Sequence, residues 1–345
     1  MKKIFAWGMS LGFVAASVIV GPAAHAEDSS RTLQIVQAIA PGLLASAPEA
    51  RNLTISGAKN AFGSDEIRLL SKENGGNRSL SLSIDYATNV DAKQNSTVVL
   101  DSEDKNVKAV AQETGNGFRI LTVISGATKN RRFDYTFSVP ADTQFLKAGP
   151  NFLLESGNTV LGSIAEAWAL DSQGKSLKTH YEWHDSVLTQ VLDEDVAKIA
   201  YPVIMDPAWG YTYQYDLAFR ASTNMSRLKT CFNCYFPVAG APKAYPKLGQ
   251  LLPLQVALFN FECTMGQTIQ TATYGSFQFN ATKNHVDGFG PNIIFQFIQV
   301  GSKNVLVVDA YIVNSLDLIR APYMAAAGLN WQVFAWNLNS STPRT

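Results

Sequence analysis

The chain has 345 residues with 28 basic and 28 acidic side chains, so its formal net charge is zero. This length exceeds that of one average domain and leaves room for two hydrophobic cores. No block of basic residues interleaved with aromatic ones is present in the sequence, which argues against a nucleic-acid-binding protein.

The first 26 residues have the pattern of a secretory signal peptide. A basic pair at residues 2–3 precedes an apolar stretch over residues 4–20, and Gly21-Pro22 interrupts that stretch. The small-residue sequence AHA at 24–26 then matches the site that signal peptidase cuts. We therefore predict cleavage after Ala26 and a secreted, soluble mature chain of about 319 residues (345 minus 26).

Charge is distributed unevenly along the predicted mature chain. Residues 27–207 contain 17 basic and 23 acidic side chains, a net charge of −6. Residues 208–345 contain 9 basic and 5 acidic side chains, a net charge of +4, and are crowded with aromatic residues. This change in composition predicts two domains, an acidic β-rich module over 27–207 and an aromatic-rich β module over 208–345.

Turn-forming clusters separate short alternating stretches in the first module. The stretches SLSLSIDY, STVVLD, VKAVAQET, GFRILTVIS and RRFDYTFSV are typical of β-strands. The apolar spacing within residues 31–46 predicts one short N-terminal helix, because Pro41-Gly42 interrupts it. The sequence therefore predicts a mainly β protein whose two modules are sandwich-like or meander-like.

The segment VAKIAYPVIMDPAWGY (196–211) places two prolines around a short apolar run. Pro202 and Pro207 each remove a backbone donor, so we expect the strand between them to lie at an edge and the sheet to stop there. Residues 133–207 resemble a module of secreted actinobacterial proteins. The shared features are the turn VPA, the step W-A-x-D-x-x-G-K and the closing signature Y-P-V-x-x-D-P. The resemblance implies an exported spacer or pro-region and no particular chemistry.

In THYEWHD, the side chains of His180, Glu182 and His184 share one face of a predicted strand. Two histidines four residues apart would suit a metal on a helix, and on a strand the three groups could hold zinc with one further ligand. No nearby histidine or cysteine completes such a site, so we favour a solvated strand face. The sequence thus predicts no metal site and no cofactor.

Aromatic residues alternate in WGYTYQYDLAF (209–219), which predicts one strand with a broad aromatic face. This face is either buried in the sheet or open for stacking on a sugar, and we favour burial. The following stretch, TCFNCYFPVAGAPKAYPKLGQLLPLQV, is rich in proline and glycine and is expected to be a long irregular loop.

The chain contains three cysteines, Cys231, Cys234 and Cys263. An odd number in an exported chain leaves one outside any internal disulfide. We expect Cys263 to pair with Cys231 or Cys234, because an irregular loop of about 30 residues needs a covalent link. A bond between Cys231 and Cys234, resembling a redox dithiol, and a zinc site completed by His285 are the alternatives.

Three further strands are predicted from YGSFQFNATKN, PNIIFQFIQV and NVLVVDAYIVN, and a meander is their simplest topology. The intervening segment NHVDGFGPN presents His285 and Asp287 as the acid–base candidates of this region. Neither a G-x-S-x-G motif nor a glycine-rich phosphate loop accompanies them. We therefore interpret the pair as turn chemistry with a surface histidine.

The C-terminal stretch 320–339 predicts a helix with one apolar stripe, formed by Met324, Ala327, Trp331, Phe334, Ala335 and Leu338. Trp336 lies about 140° from Trp331 around the helix axis, off this stripe. It is either a contact for a partner, a lipid headgroup or a sugar, or it is covered by a second element. The second module also resembles C-terminal domains of other exported actinobacterial proteins, through C-x-x-C, H-V-D-G-x-G and W-x-x-F-A-x-N-L; this implies no mechanism.

These features favour a non-enzymatic exported protein that binds a partner or associates with the cell envelope. The partner would be a cell-wall glycan, a lipid surface or another exported protein. One alternative is a proprotein, cut near residues 200–210, whose N-terminal module masks an antimicrobial or toxin-like C-terminal part. The other alternative is a hydrolase without a recognisable motif, built on His285 and Asp287 or on His180, Glu182 and His184.

Overall fold

The computed structural model describes residues 22–41, 43–44, 53–59, 65–72, 78–94, 96–114, 117–149, 151–195, 198–256, 259–285, 292–311 and 317–340. Within these residues the strands form three antiparallel sheets, and one helix lies near each end of the chain. The predicted mainly β class with an N-terminal and a C-terminal helix is therefore confirmed.

The first two sheets are built from residues before Tyr211. Sheet A has the spatial order β1 (Leu53–Lys59), β2 (Asp65–Lys72), β3 (Ser79–Ile84), β8 (Arg132–Ser138), β14 (Val187–Leu192) and β13 (Thr179–His184). Sheet B has the order β4 (Ala87–Gln94), β5 (Thr97–Ser102), β6 (Val107–Thr114), β7 (Gly117–Ile124), β16 (Ala208–Gly210), β11 (Thr159–Ile164), β10 (Asn151–Ser156) and β9 (Gln144–Ala148). A short strand, β15 (Val203–Asp206), also pairs with β7 and carries β12 (Trp168–Leu170) on its other side.

Sheets A and B form a sandwich because alternate residues of their strands are apolar and face one common core. Strand β8 shows the pattern clearly, with Phe133, Tyr135 and Phe137 buried and the residues between them partly or fully exposed. Buried side chains from both sheets meet in this core, among them Leu82, Phe133, Leu188, Leu100, Ile120 and Met205.

Sheet C is a meander with one added strand. Its order is β17 (Thr212–Leu217), β22 (Lys303–Tyr311), β21 (Asn292–Val300), β20 (Gly275–Ala281), β19 (Phe259–Gln270) and β18 (Leu251–Val256). Strands β18 to β22 are neighbours in sequence order, as the predicted meander requires. Each of the three strands predicted between residues 274 and 314 is present in this sheet.

Each face of sheet C is covered by a different part of the chain. One face packs on α2 (Ala221–Thr230), α3 (Phe232–Tyr235) and α4 (Asp317–Asn339), with a core of stacked and edge-on phenylalanine rings. The other face presents Val300, Val305 and Val307 to Leu153 and Val160 of the β10–β11 hairpin. The alternation of side chains along β22 therefore assigns one face to the helices and the other to the first module.

Helix α1 (Pro22–Ile39) lies on the outer face of sheet B. Its buried Val36 packs among Val99, Val110 and Leu121, and the Nζ of Lys108 binds the Asp28 carboxylate at 2.8 Å. The helix begins earlier than the predicted 31–46 segment. It also ends earlier, at Ile39, because Pro41 follows it. The predicted cleavage site after Ala26 falls within α1, and cleavage there stays a prediction. Within the described part of the chain, no helix combines the length and hydropathy needed to cross a bilayer.

The expectation that a sheet stops at Asp206-Pro207 is wrong. Strand β16 follows Pro207 and pairs with β7, where Ala208 lies opposite Arg119, so sheet B continues to Gly210. The aromatic stretch 209–219 is accordingly not one strand, because β16 belongs to sheet B and β17 to sheet C. A division into modules at residue 207 stays a prediction, and the change of sheet occurs at Tyr211.

Aromatic side chains of this stretch are largely buried, as we favoured. Trp209 and Tyr211 are 3% exposed, and the Tyr211 hydroxyl donates to the Ser71 carbonyl at 2.8 Å. Tyr213 and Tyr215 pack against the helix-covered core of sheet C instead. The stretch therefore connects sheet B to sheet C.

The predicted pairing of Cys263 with Cys231 or Cys234 is also wrong. Cys231 and Cys234 form a disulfide with each other, with Cα atoms 5.4 Å apart. The α3 turn between them brings the two side chains together, whereas Cys263 is buried in β19 and stays outside this bond. The stretch expected to be irregular thus begins with a helical turn whose Phe232 is buried in the sheet C core.

The C-terminal helix follows its predicted stripe. Ala327, Trp331, Phe334, Ala335 and Leu338 are all buried against sheet C and helices α2 and α3, whereas the side chain of Met324 lies outside the described set. Trp336 points away from this face and is 67% exposed. Its role as a contact for a partner stays a prediction.

Candidate ligand-binding site

A cavity of about 190 Å³ lies where sheet B meets sheet C. Sheet B contributes residues from β6, β7, β10, β11, β12, β15 and β16, and sheet C contributes residues from β21 and β22. The polar lining of the cavity includes Arg119, Asn151, Ser163, Asp206, Asn292 and Asp309, and the partly exposed indole of Trp168 completes the wall. Polar groups from both sheets therefore converge on one space, which is the usual arrangement of a small-ligand site.

Asp206 is the buried acidic group on the sheet B side. It ends β15, and the register of β15 and β16 against β7 brings it beside Arg119. Arg119 Nε donates to Asp206 Oδ2 at 3.1 Å, and Trp168 Nε1 donates to the same oxygen at 2.9 Å. Pro207 has no N–H, and the main-chain carbonyl of Asp206 accepts from the Tyr181 hydroxyl at 2.6 Å. These contacts hold the carboxylate in one orientation.

Burial dominates the electrostatics of Asp206. Loss of hydration raises its pKa above the usual 3.8, although the Arg119 charge and the Trp168 hydrogen bond act in the opposite direction. Its second oxygen, Oδ1, is buried and accepts no hydrogen bond from the described residues. Arg119 also donates from Nη1 to the Leu43 carbonyl at 3.3 Å, which links the segment after α1 to the cavity.

Asp309 is the acidic group on the sheet C side. It lies on β22 on the same face as Val305 and Val307, so it points toward the first module. Asn151 Nδ2 on β10 donates to Asp309 Oδ2 at 2.8 Å, and the Ser163 hydroxyl on β11 also donates to this carboxylate. Burial raises the pKa of Asp309, because both donors are uncharged and compensate the desolvation only in part.

The indoles of Trp168 and Trp209 lie on opposite faces of sheet B. Trp168 is partly exposed at the cavity and its N–H binds Asp206. Trp209 is buried in the core between sheets A and B, and its N–H has no acceptor among the described residues. Gly162 permits this position of Trp209, since a Cβ at residue 162 would lie 2.2 Å from the ring atom Cζ2. A larger residue there would displace the indole from this core.

His180, Glu182 and His184 lie on an exposed strand face and do not line this cavity. His180, Glu182 and His184 alternate with partly buried residues along β13, as predicted. His180 Nδ1 contacts Asp193 Oδ2 at 2.6 Å, Nε2 contacts Glu182 Oε1 at 3.3 Å, and the hydrogen bond with Asp193 is the main reason that its pKa is raised. His184 contacts the neighbouring Asp185. In the part of the chain that the structure describes, no cluster of three or more histidine, cysteine or acidic residues could hold a metal ion.

The structure describes His285 but not its predicted partner Asp287. His285 lies in the turn after β20 and packs edge-on against Phe261, with ring centroids 5.1 Å apart. Burial lowers the pKa of His285 to about 4, so this histidine is neutral at pH 7 and is less exposed than a surface histidine. Asp287 lies outside the described residues.

Sequence reasoning did not identify Arg119, Asp309 or Trp168 as site residues. Asp206 was visible within Y-P-V-x-x-D-P, but as a boundary marker. A signal for Asp309 existed in NVLVVDAYIVN, because period-two alternation places this single acidic residue on the face of two valines. An acidic residue on an otherwise apolar strand face indicates a specific buried environment.

Comparison with known proteins adds no assignment. No family model matches the chain, and no curated protein or solved structure matches it either. The interpretation of the cavity therefore depends on its own geometry and chemistry.

Replacing Asp309 with asparagine is expected to change stability in a pH-dependent way. Because burial raises the pKa of Asp309, the folded chain binds this proton more tightly than the unfolded chain does. The stability of the wild type therefore falls as the pH rises from 3.8 through the higher folded-state pKa. The D309N variant lacks this titration, so its melting temperature relative to wild type should be higher at pH 7 than at pH 4.

Asp216 provides the control for this measurement, because it is 61% exposed on the neighbouring strand β17 and pairs with Lys303 at the surface. D216N should change the melting temperature little at either pH. A D309N difference that is equal at both pH values, or larger at pH 4, would show that Asp309 is not a destabilised buried carboxyl.

Proposed function

We propose that this chain is an exported, non-enzymatic binding protein that holds a small ligand in the cavity between sheets B and C. The observation that carries this proposal is the convergence of Arg119, Asp206 and Asp309 with the Trp168 indole on one space between sheets B and C. Its volume of about 190 Å³ is below the ~300–1,000 Å³ of sites for drug-sized ligands, so the ligand is small.

The hydrogen bonds that the two cavity carboxylates already accept support binding rather than catalysis. The Asp206 carboxylate already accepts from Arg119 and Trp168, and the Asp309 carboxylate already accepts from Asn151 and Ser163. Carboxylates fixed in this way are suited to recognising a ligand, whereas a general base needs access to the proton that it removes. Both ring nitrogens of His180 also contact carboxylates, which argues against a hydrolase centred on that residue.

Export is supported by the N-terminal sequence and fits the position of α1. Cleavage after Ala26 would leave a helix that begins at Glu27 and Asp28, and acidic residues are favourable at a helix N-terminus. Asp28 and Ser29 then bind Lys108 and Asp91 on sheet B, with Ser29 Oγ 2.6 Å from Asp91 Oδ2. The shortened helix would thus remain attached to the sheet.

A proprotein is the second candidate, and the covered face of sheet C favours it. Val300, Val305 and Val307 are fully buried beneath the β10–β11 hairpin, so the first module masks an apolar strip of the second. Hydrogen bonds also cross the junction, including Arg78 Nη2 to the Thr212 carbonyl at 2.7 Å. Separation of the two modules would expose this strip, which is a property expected of a masked, surface-active segment.

The mass of the exported species distinguishes these two functions. For a binding protein, mass spectrometry of the culture medium of the native host should show the intact 27–345 species, because the cavity needs residues from both modules. A cut between residues 200 and 210 would support the proprotein and contradict our proposal. Retention of residues 1–26 in the mature species would contradict export.

Binding in the cavity can be tested without knowledge of the ligand. We expect small fragments of mixed charge to shift the indole N–H resonance of Trp168 in ¹⁵N-tryptophan-labelled protein, because this N–H binds Asp206 at the cavity wall. The resonance of Trp336, on the exposed face of α4, should stay unchanged. Ala165 also lines the cavity, so A165L should reduce the response, whereas A141L, at an exposed turn, should not.

Failure of every fragment to shift the Trp168 resonance would contradict the proposed binding function. An equal response in A165L and A141L would place the bound fragments elsewhere on the protein.

A further inference from the structure

Charge in the cavity is unevenly compensated. Asp206 has the guanidinium of Arg119 as its counter-charge, with Nε 3.1 Å from Oδ2. Asp309 is 6% exposed, and its hydrogen-bond donors, Asn151 and Ser163, are both uncharged. Among the residues that the structure describes, one buried carboxyl therefore pairs with a cation, and the other accepts hydrogen bonds from uncharged donors.

A buried carboxylate without a cationic partner is strongly disfavoured, so it either keeps its proton or takes a cation from outside the protein. Resting on the binding function proposed above, we propose that the cavity takes a small organic cation, a primary ammonium group on a short apolar body, with Asp309 as its counter-charge. The ammonium would displace the proton of Asp309, so that the bound state contains an ion pair within the cavity.

The walls of the cavity fit the rest of such a ligand. Trp168 provides an indole ring, and indoles attract organic cations through their π faces as well as packing against apolar groups. The side chains of Asn151 and Asn292 offer amide oxygens that can accept hydrogen bonds from ammonium protons not directed at Asp309.

Other ligand classes fit this lining less well. A carboxylate or phosphate ligand would face Asp206 and Asp309, while Arg119 is already engaged by Asp206 and by the Leu43 carbonyl. A hard metal ion prefers six or more oxygen ligands, and the described residues contain no group of three or more acidic, histidine or cysteine side chains suited to one. A neutral hydroxyl compound could hydrogen-bond here but would leave the charge of Asp309 uncompensated.

Three probes of one shape separate these classes: benzylammonium, benzyl alcohol and benzoate. We expect benzylammonium to shift the indole resonance of Trp168 with an affinity at least about tenfold above that of benzyl alcohol, because a hydrogen bond between two charged groups is the stronger one. Benzoate should bind more weakly than either. This comparison uses the wild-type chain, so it does not depend on the folding of any variant.

Two matched variants then test the role of Asp309. D309N keeps the size of the side chain and removes its charge, so it should lower the affinity for benzylammonium to about that for benzyl alcohol, a loss of roughly tenfold. D216N removes the same charge from exposed β17 and should leave the affinity within about twofold, because exposed charges are screened by solvent.

Equal binding of benzylammonium and benzyl alcohol would overturn the inference, as would tighter binding of benzoate or of a neutral sugar such as glucose. An unchanged benzylammonium affinity in D309N would also overturn it. In each of these cases a ligand still shifts the Trp168 resonance, so the binding function survives. Absence of any shift with every fragment would instead remove the binding function itself.

Discussion

The buried ion pair between Asp206 and Arg119 is the interaction on which the rest of the structure depends. It fixes the end of β15 against β7, and the same carboxylate holds the indole of Trp168. Arg119 extends the connection to the carbonyl of Leu43, beyond α1. An arginine cannot lose its proton at this depth, so the geometry is stable only while the opposing carboxylate is present. The ion pair thereby fixes the part of the cavity wall that Arg119, Asp206 and Trp168 form.

The two faces of sheet C explain how the candidate binding site arises where sheet C meets sheet B. Its helix-covered face has a complete core of its own, while its opposite face uses the β10–β11 hairpin to bury three valines. Asp309 lies on that same buried face, two residues beyond Val307, and reaches Asn151 at the start of β10. Packing of the valines therefore places the Asp309 carboxyl in a buried position, where a carboxyl without hydrogen-bond donors would be unfavourable. A carboxyl in such a position is expected to have a function beyond stability.

Alternation of apolar residues was sufficient to predict the strands from β5 to β8, strands β20 to β22 of the sheet C meander and the buried stripe of α4. Strand β18 lies in the stretch that was expected to be an irregular loop. Local patterns could not predict partners distant in sequence: the pairing of β16 with β7 and β11 is a tertiary contact, and it carries sheet B past Pro207. The disulfide was misassigned because helical turn α3 was not recognised in TCFNC. Asp206 and Asp309 are 103 residues apart (309 minus 206), so no spacing rule could place them at one cavity.

The stability of D206N measures the central claim most directly. If the ion pair organises the junction, removing the carboxylate leaves a buried guanidinium without its counter-charge, and the free energy of unfolding should fall by about 3–5 kcal/mol in urea denaturation. E182Q, which breaks the exposed ion pair of Glu182 with Arg132, should change it little. A D206N variant as stable as E182Q, with an unchanged Trp168 environment, would contradict the account.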